Sequence, residues 1–215
     1  MECNRLVKKK QKNARQRASK IMSDVQKDDK IKEKYKFDKK LVGSGHWGTM
    51  IETKDNTYDI DYQLLLTKNS KEYKDNKYSD PTGIKRDFYE AFDRYKKEHE
   101  SIENKTTAVT LISNEYNFHI DFVIIDNNSY PNKIIRRNNK EETPSSNEFT
   151  WNELADRSEA FDYFKQMEQK DKEELINNKI VPAKCEESQK DDGDLTKKSS
   201  SEIFIEEIMR WKNEH

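Results

Sequence analysis

Two stretches of the sequence alternate between apolar and polar side chains, and this alternation constrains the fold more than any other feature. Residues 58–67 place an apolar side chain at every second position, with Asp59 and Asp61 between them. Residues 116–126 repeat the pattern and place Asp121 among the polar positions. Successive side chains of a β-strand point to opposite faces, so both stretches are predicted to be strands with one buried face.

Other stretches carry the period of an amphipathic helix. Residues 4–27 place apolar side chains three, four and seven positions apart and fill the other faces with lysine and arginine. Asp80 followed by Pro81 predicts an N-cap and a helix that ends near His99. The same reasoning predicts a helix that begins at Trp151, a further helix capped by Ser158, a last helix over residues 203–211, a strand over residues 106–113 and a loop over residues 136–149. Together these elements predict an α+β fold with about four or five strands and helices on one face of the sheet.

Composition excludes several classes of protein. Charged residues make up 39% of the chain and hydrophobic residues 32%, and the longest apolar run is residues 122–125. A membrane-spanning helix needs about 20 apolar residues, and no apolar run follows the basic N-terminus as in a secretory signal. Cys3 and Cys185 have neither a CxxC partner nor a nearby histidine. The sequence therefore predicts no zinc site, no disulfide and a cytoplasmic location.

The charges are unevenly distributed along the chain. Residues 1–40 carry 15 Lys and Arg against 6 Asp and Glu, whereas the remainder carries 26 against 36. A basic N-terminal helix on an acidic body could contact nucleic acid. The alternative is a solvated basic helix that packs against its own acidic body, and the charge pattern leaves both interpretations open.

Glycines are scarce, yet three of the five lie within residues 40–51. Such density is typical of a tight turn or of backbone that approaches a ligand closely. Backbone N–H groups near Gly43, together with the Ser44 hydroxyl, could hold a phosphate. Residues 40–51 are therefore a candidate phosphate-binding turn.

The three aspartates predict a divalent cation site. Asp59 and Asp61 are two positions apart on a strand and project from the same face, and an adjacent antiparallel strand would bring Asp121 beside them. Converging carboxylates repel one another and raise each other's pKa. Oxygen ligands at this density suit Mg²⁺ or Mn²⁺. A phosphate-binding turn beside a carboxylate–metal site is typical of two-metal nucleotidyl transfer.

These motifs resemble those of a known superfamily. The stretch Gly-Ser-Gly-His-Trp-Gly-Thr-Met-Ile from Gly43 to Ile51, followed by Asp59-Ile60-Asp61 and by Asp121 on a later strand, resembles the DNA polymerase β-type nucleotidyltransferases. Within that superfamily, the Gly-Thr pair after Gly-Ser and the long basic helix before it are similar to the CD-NTases. This SMODS-type group is related to cGAS and to the oligoadenylate synthetases.

The resemblance implies a role for each candidate residue. Gly43 and Ser44 would bind the triphosphate of a nucleoside triphosphate. Asp59 and Asp61 would ligate two Mg²⁺ or Mn²⁺ ions, and Asp121 would ligate the catalytic ion and help to deprotonate an attacking 3′-hydroxyl. The implied activity transfers NMP to a hydroxyl and releases pyrophosphate. Its product would be a cyclic-oligonucleotide second messenger in antiviral signalling.

The resemblance also implies a domain organisation. Residues 1–135 would form a polymerase β-like catalytic domain, with a mixed or antiparallel sheet, flanking helices and the basic N-terminal helix. Residues 136–215 would form a loop and an incomplete helical lobe, which a protein partner could complete. Two alternatives remain open: a catalytically idle module that binds nucleotide or RNA, and a minimal toxin–antitoxin nucleotidyltransferase. Members of the latter class are equally short but usually lack the long basic helix.

Overall fold

The computed structural model describes residues 3, 5–6, 8–52, 57–137, 149–190, 196 and 198–215. The chain forms two compact units, each built from segments that are not contiguous in sequence. The sheet unit comprises Lys12–Val42 and Asp59–Ala155, and the helical unit comprises Met1–Gln11, Gly43–Tyr58 and Asp156–His215. The sequence prediction divides the chain after residue 135, whereas the sheet unit continues through Ala155.

Helices and strands alternate irregularly along the chain. The described helices are α1 (Lys8–Lys27), α2 (Asp29–Lys34), α3 (Gly43–Trp47), α4 (Lys71–Asn76), α5 (Pro81–Arg94), α6 (Ser158–Gln166), α7 (Gln169–Leu175), α8 (Val181–Glu187) and α9 (Ser200–Glu214), with a π-helical segment (Ile176–Ile180) between α7 and α8. The described strands are β1 (Phe37–Val42), β2 (Tyr58–Leu66), β3 (Glu100–Asn104), β4 (Ala108–Ser113), β5 (Phe118–Asp126), β6 (Lys133–Arg137) and β7 (Phe149–Glu153).

These strands form one sheet in the order β1-β2-β5-β4-β3, and β6 joins β5 to β7. The pairs β1–β2, β3–β4, β4–β5, β5–β6 and β6–β7 are antiparallel. Between β2 and β5, Asp59 contacts His119 and Tyr62 contacts Phe122, so both contacts join residues 60 positions apart. A constant offset indicates strands that run in the same direction. The sheet is therefore mixed, and the predicted α+β class is confirmed.

The predicted periodicities place the core of the sheet unit correctly. The strands predicted over residues 58–67 and 116–126 are β2 and β5, and their alternate apolar side chains are largely buried. The apolar stripe of α5 packs on this surface, where the rings of Phe92 and Phe122 stack with centroids 4.2 Å apart. Asp80 caps α5 by accepting a hydrogen bond from the backbone N–H of Gly83 at 2.8 Å, although the helix ends at Arg94 rather than near His99.

Other sequence predictions are wrong. The described residues contain seven strands rather than four or five. The helix predicted to begin at Trp151 is strand β7, which pairs with β6, and the Trp151 indole donates a hydrogen bond to the Tyr78 carbonyl at 2.7 Å. Tertiary pairing therefore overrides a local capping signal. Both strands also extend into the loop predicted over residues 136–149, of which residues 138–148 lie outside the described part of the chain.

The helical unit has its own aromatic core. The Trp47 ring lies against the rings of Phe161, Phe164 and Phe204 at centroid distances of 5.5, 5.4 and 5.8 Å. α6 begins at Ser158 itself, with Arg157 rather than Ser158 as its N-cap, and α9 extends the predicted last helix to Ser200–Glu214. Among the described helices, none is long and apolar enough to cross a membrane.

The prediction of no disulfide is wrong as well. Cys3 and Cys185 form a disulfide, with Cα atoms 5.7 Å apart and 182 positions between them in the sequence. Such a separation gives no local signal, because only the fold brings the two cysteines together. The bridge lies within the helical unit and joins the start of the chain to α8.

Candidate active site

Strand β2 presents two of the candidate metal ligands. Asp59 is exposed and Asp61 is half-buried, and the fully buried Ile60 lies between them. Both carboxylates therefore lie on the face of the strand opposite to the core. Asp61 pairs with Val42 of β1, and Gly43 follows Val42 directly in the chain.

Asp121 lies on the neighbouring strand β5, opposite Thr110 of β4. The Thr110 hydroxyl donates a hydrogen bond to Oδ1 of Asp121 at 2.5 Å. Burial raises the pKa of Asp121 above its usual value, and the negative charge of Asp59 acts in the same direction. The Thr110 hydrogen bond and the positive charge of Lys105 oppose this rise without cancelling it. Asp121 thus carries a partly buried charge that the surrounding residues compensate incompletely.

His119 connects the two strands. Its Nδ1 atom lies 3.1 Å from Oδ1 of Asp59. The hydrogen bond with Asp59 raises the pKa of His119, against the opposing effect of burial. The sequence places His119 on the same face as Asp121, and the structure shows that the protein partner of His119 is Asp59.

Gly43 and Ser44 begin helix α3 in the helical unit. The predicted turn is therefore a five-residue helix, which begins at Gly43 with a φ of 60° and is followed by Gly48 with a φ of 72°. Positive φ values are costly for residues with a Cβ atom, which explains glycine at both positions. The Thr49 N–H donates a hydrogen bond to the Ser44 carbonyl at 3.0 Å and closes the segment. Asp59, Asp61 and Asp121 belong to the sheet unit.

The residue types fit a divalent cation. Carboxylate oxygens are the donors that Mg²⁺ and Mn²⁺ prefer, and the raised pKa of Asp121 indicates an uncompensated negative charge. Asp59 and Asp121 each use one carboxylate oxygen in a hydrogen bond within the protein. In the described part of the chain, no group of three or more His, Cys, Asp or Glu side chains is arranged to hold a metal ion.

Sequence reasoning missed two residues that surround Asp121. Thr110 faces Asp121 across the β4–β5 pairing, which alternation within β4 alone does not reveal. Lys85 of α5 is fully buried and donates a hydrogen bond from Nζ to the Lys105 carbonyl at 2.7 Å. Its charge acts on Asp121 from the helix layer. A lysine inside an apolar stripe is a detectable signal, but the sequence does not show what it faces.

The chain matches no protein-family model and no curated protein, but several solved structures share its fold. The STING-associated CdnE c-di-GMP synthase from Capnocytophaga granulosa matches with a TM-score of 0.62 and 15% identity, over 98% of this chain and 62% of that one. Escherichia coli MS115-1 CdnC with ATP gives a TM-score of 0.59 and 14% identity, over 97% and 62%. Vibrio cholerae DncV in its GTP-bound form matches with a TM-score of 0.55 and 14% identity, over 93% of this chain and 50% of that one.

These likenesses show the fold. The chain has the fold of the CD-NTases, and the resemblance inferred from its sequence motifs is confirmed at that level. The chain spans between half and about three fifths of the length of the solved structures that it matches. The activity, substrates and partners of the whole protein are therefore matters for proposal.

Proposed function

We propose that this protein is a Mg²⁺- or Mn²⁺-dependent nucleotidyltransferase that transfers NMP from a nucleoside triphosphate to a hydroxyl. One observation carries the proposal: in a CD-NTase fold, the adjacent strands β2 and β5 bear Asp59, Asp61 and Asp121. A raised pKa at Asp121 supports it further, because titratable groups with shifted pKa values are concentrated at functional sites.

In this proposal the three aspartates bind the metal ions, and the glycine-containing stretch that begins at Gly43 binds the nucleotide. The ions would lower the pKa of the attacking hydroxyl and stabilise the charge on the leaving pyrophosphate. Asp121 would help to accept the proton of the hydroxyl, since a carboxylate with a raised pKa is a better general base near neutral pH. Gly43 and Ser44 would bind the triphosphate through backbone N–H groups and the serine hydroxyl.

The proposed product is a cyclic-oligonucleotide second messenger, made in the cytoplasm during antiviral signalling. The support is the identity of the fold relatives: one is a c-di-GMP synthase, and others hold ATP or GTP. We also propose that further helical segments or a protein partner complete the helical lobe, since the matched structures are longer chains.

The direct test is incubation of the protein with each α-labelled NTP and Mg²⁺ or Mn²⁺, followed by chromatography of the products. We expect a cyclic or linear oligonucleotide from the wild type and none from Asp59→Ala/Asp61→Ala. Asp38→Ala is the matched control, because Asp38 is an exposed aspartate on the neighbouring strand β1 and its loss should leave the product unchanged. Equal product from the Asp59→Ala/Asp61→Ala variant would exclude the assigned site.

A second candidate function is nucleic-acid binding without catalysis. α1 exposes Lys12, Lys20 and Lys27, and phosphate contacts from such lysines give affinity that falls steeply with salt. Arg17 does not contribute, because its guanidinium is paired with the buried Glu100 at 2.6 Å. The test compares RNA binding by Lys12→Gln/Lys27→Gln with that of the wild type at two salt concentrations. Binding that survives both the substitutions and high salt would count against this candidate.

A further inference from the structure

The glycine segment (residues 43–50) is held from one side by the start of the chain. Arg5 donates a hydrogen bond from Nε to the Gly48 carbonyl at 2.6 Å. The Leu6 N–H donates to the Met50 carbonyl at 2.8 Å. A Cβ atom at Gly48 would lie only 3.2 Å from a guanidinium nitrogen of Arg5, so a side chain there would crowd this contact.

Arg5 is itself fixed by the helical layer. Its Nη1 atom donates hydrogen bonds to Glu173 Oε2 and Asn177 Oδ1, both at 3.0 Å. Glu173 lies in α7 and Asn177 in the π-helical segment. The guanidinium therefore ties the carbonyl edge of the glycine segment to the helix that leads into α8.

Lys184 of α8 makes a second set of contacts with the same segment. Its side chain is buried, with an exposed fraction of 3% for the residue. Nζ donates hydrogen bonds to Oγ1 of Thr49 at 2.9 Å and to the Thr49 carbonyl at 3.3 Å. Thr49 is also fully buried, and its N–H closes α3 by donating to the Ser44 carbonyl. A hydrogen bond in the low dielectric of the protein interior is electrostatically stronger than one in water.

The disulfide closes this arrangement. Cys3 lies two residues before Arg5, and Cys185 follows Lys184 directly. One covalent bond thus links the backbone near Arg5, which bonds to Gly48, with the backbone near Lys184, which bonds to Thr49. All of these residues belong to the helical unit.

We propose that Arg5 and Lys184 are positioning residues for the nucleotide-binding segment, and that the Cys3–Cys185 bridge locks them in place. The inference rests on the proposed function, because it assigns Gly43 and Ser44 to the triphosphate. Opening the bridge weakens nucleotide binding by releasing the Gly48–Thr49 end of the segment. In a reducing compartment such bridges are usually transient and redox-sensing, so nucleotide affinity follows the local thiol–disulfide balance.

The chemistry of opening is ordinary thiol–disulfide exchange. Dithiothreitol supplies two electrons and two protons, the Sγ–Sγ bond breaks, and Cys3 and Cys185 become thiols. The reductant closes into its own cyclic disulfide. By thermodynamic reciprocity, a bound nucleotide that favours the locked segment makes the bridge harder to reduce by the same factor.

The experiment measures ATP and GTP affinity by calorimetry with Mn²⁺ present, for the oxidised protein, the reduced protein and Cys3→Ser. We expect the dissociation constant to rise about tenfold on reduction and in Cys3→Ser, a factor within the range typical of coupled sites. The same factor should appear as a shift of about 30 mV in the reduction potential of the bridge when nucleotide saturates the protein. If the disulfide only stabilised the fold, its reduction potential would not change when nucleotide binds.

Two variants separate positioning from general stability. Lys184→Met should weaken nucleotide binding in the oxidised protein, whereas Lys179→Met, an exposed lysine in the adjacent π-helical segment, should not. Hydrogen exchange gives a readout without nucleotide, since reduction should speed exchange of the Thr49 and Leu6 amides.

The outcomes are distinguishable. Equal affinity in the oxidised and reduced proteins, or unchanged exchange at Thr49 and Leu6, would overturn the inference and leave the proposed function standing. If the oxidised wild type binds neither ATP nor GTP, the proposed function fails and the inference fails with it.

Discussion

Thr110 orients one carboxylate oxygen of the candidate metal ligand Asp121. Its hydroxyl donates to Oδ1 of Asp121 and leaves the other carboxylate oxygen for a cation. We expect Thr110→Val, which keeps the shape and removes the donor, to weaken Mn²⁺ binding about tenfold, a typical loss for a residue that orients a metal ligand. Thr110→Ser should restore the affinity. Titration calorimetry with Mn²⁺ tests both, and equal affinity for Val and Ser would show that the hydroxyl has no such role.

Asp121 illustrates the conflict between stability and function. Burial and the charge of Asp59 raise its pKa, so its ionised form is less favourable in the metal-free fold than in the unfolded chain. We expect Asp121→Asn to raise the melting temperature by about 2–4 °C, equivalent to about 1 kcal/mol, while it abolishes nucleotide transfer. The amide oxygen can still accept the Thr110 hydrogen bond. A lower melting temperature would mean that the surroundings already compensate the charge.

Lys85 should make stability depend on pH. Burial lowers its pKa to about 7; Arg137 of β6 acts in the same direction, and Asp121 of β5 opposes it. The unfolded chain keeps this lysine protonated up to about pH 10, so it binds more protons than the fold between pH 7 and 10. The free energy of unfolding should therefore rise with pH in that range, by up to about 1.4 kcal/mol per unit.

Lys85→Met should flatten this rise, because methionine fills the site without titrating. Lys97→Met, at an exposed position, should leave the slope unchanged. Urea denaturation at several pH values measures it, and an unchanged slope in Lys85→Met would assign the pH dependence to other groups.

At the scale of elements, the N-cap of α5 depends on an unusual contact. Asp80 accepts the hydrogen bond of the Gly83 N–H, and a Cβ atom at Gly83 would lie 2.2 Å from Asp80 Oδ2. Alanine at position 83 therefore displaces the cap, which is worth about 1 kcal/mol. In the Asp80→Ala background no cap remains to lose, and Gly83→Ala should stabilise the helix by up to about 1 kcal/mol.

A double-mutant cycle tests this cap. We expect an interaction free energy of about 1 kcal/mol between positions 80 and 83. When Asp80 is present, the loss of the cap should cancel the helix stabilisation that Gly83→Ala would otherwise give. If the two changes in the free energy of unfolding are strictly additive, the Asp80 side chain still caps the helix when residue 83 is alanine.

Long amphipathic elements could be predicted from the sequence, and short polar ones could not. α1, α5, β2 and β5 carry a clear period because one face of each is buried. β1 buries only Phe37 fully and exposes Asp38, Lys39 and Lys40, so it lacks alternation. Its position at the end of the sheet order explains this composition, since charged side chains protect strand edges.

At the scale of the whole molecule, the order of the motifs predicted that the candidate aspartates lie on neighbouring strands, but it did not predict the residues around them. The motif order placed the three aspartates on β2 and β5, which are neighbours, but it assumed antiparallel strands where the contacts indicate parallel ones. Thr110, Lys85 and the disulfide depend on pairings distant in sequence, which no local pattern contains. The fold also divides the chain into units that each collect several segments, so no single linear boundary describes it.

The disulfide has a mechanical consequence. The bond joins residues 182 positions apart and closes residues 3–185 into a covalent ring. A force applied to residues outside this ring is carried by the S–S bond and does not stretch the segment between the two cysteines. An extended residue spans about 3.3–3.6 Å, so the ring withholds about 600–650 Å of contour length from stretching. In magnetic tweezers that pull on residues outside the ring, the oxidised chain should keep this length withheld, and the length should appear in one step when a reductant cuts the ring.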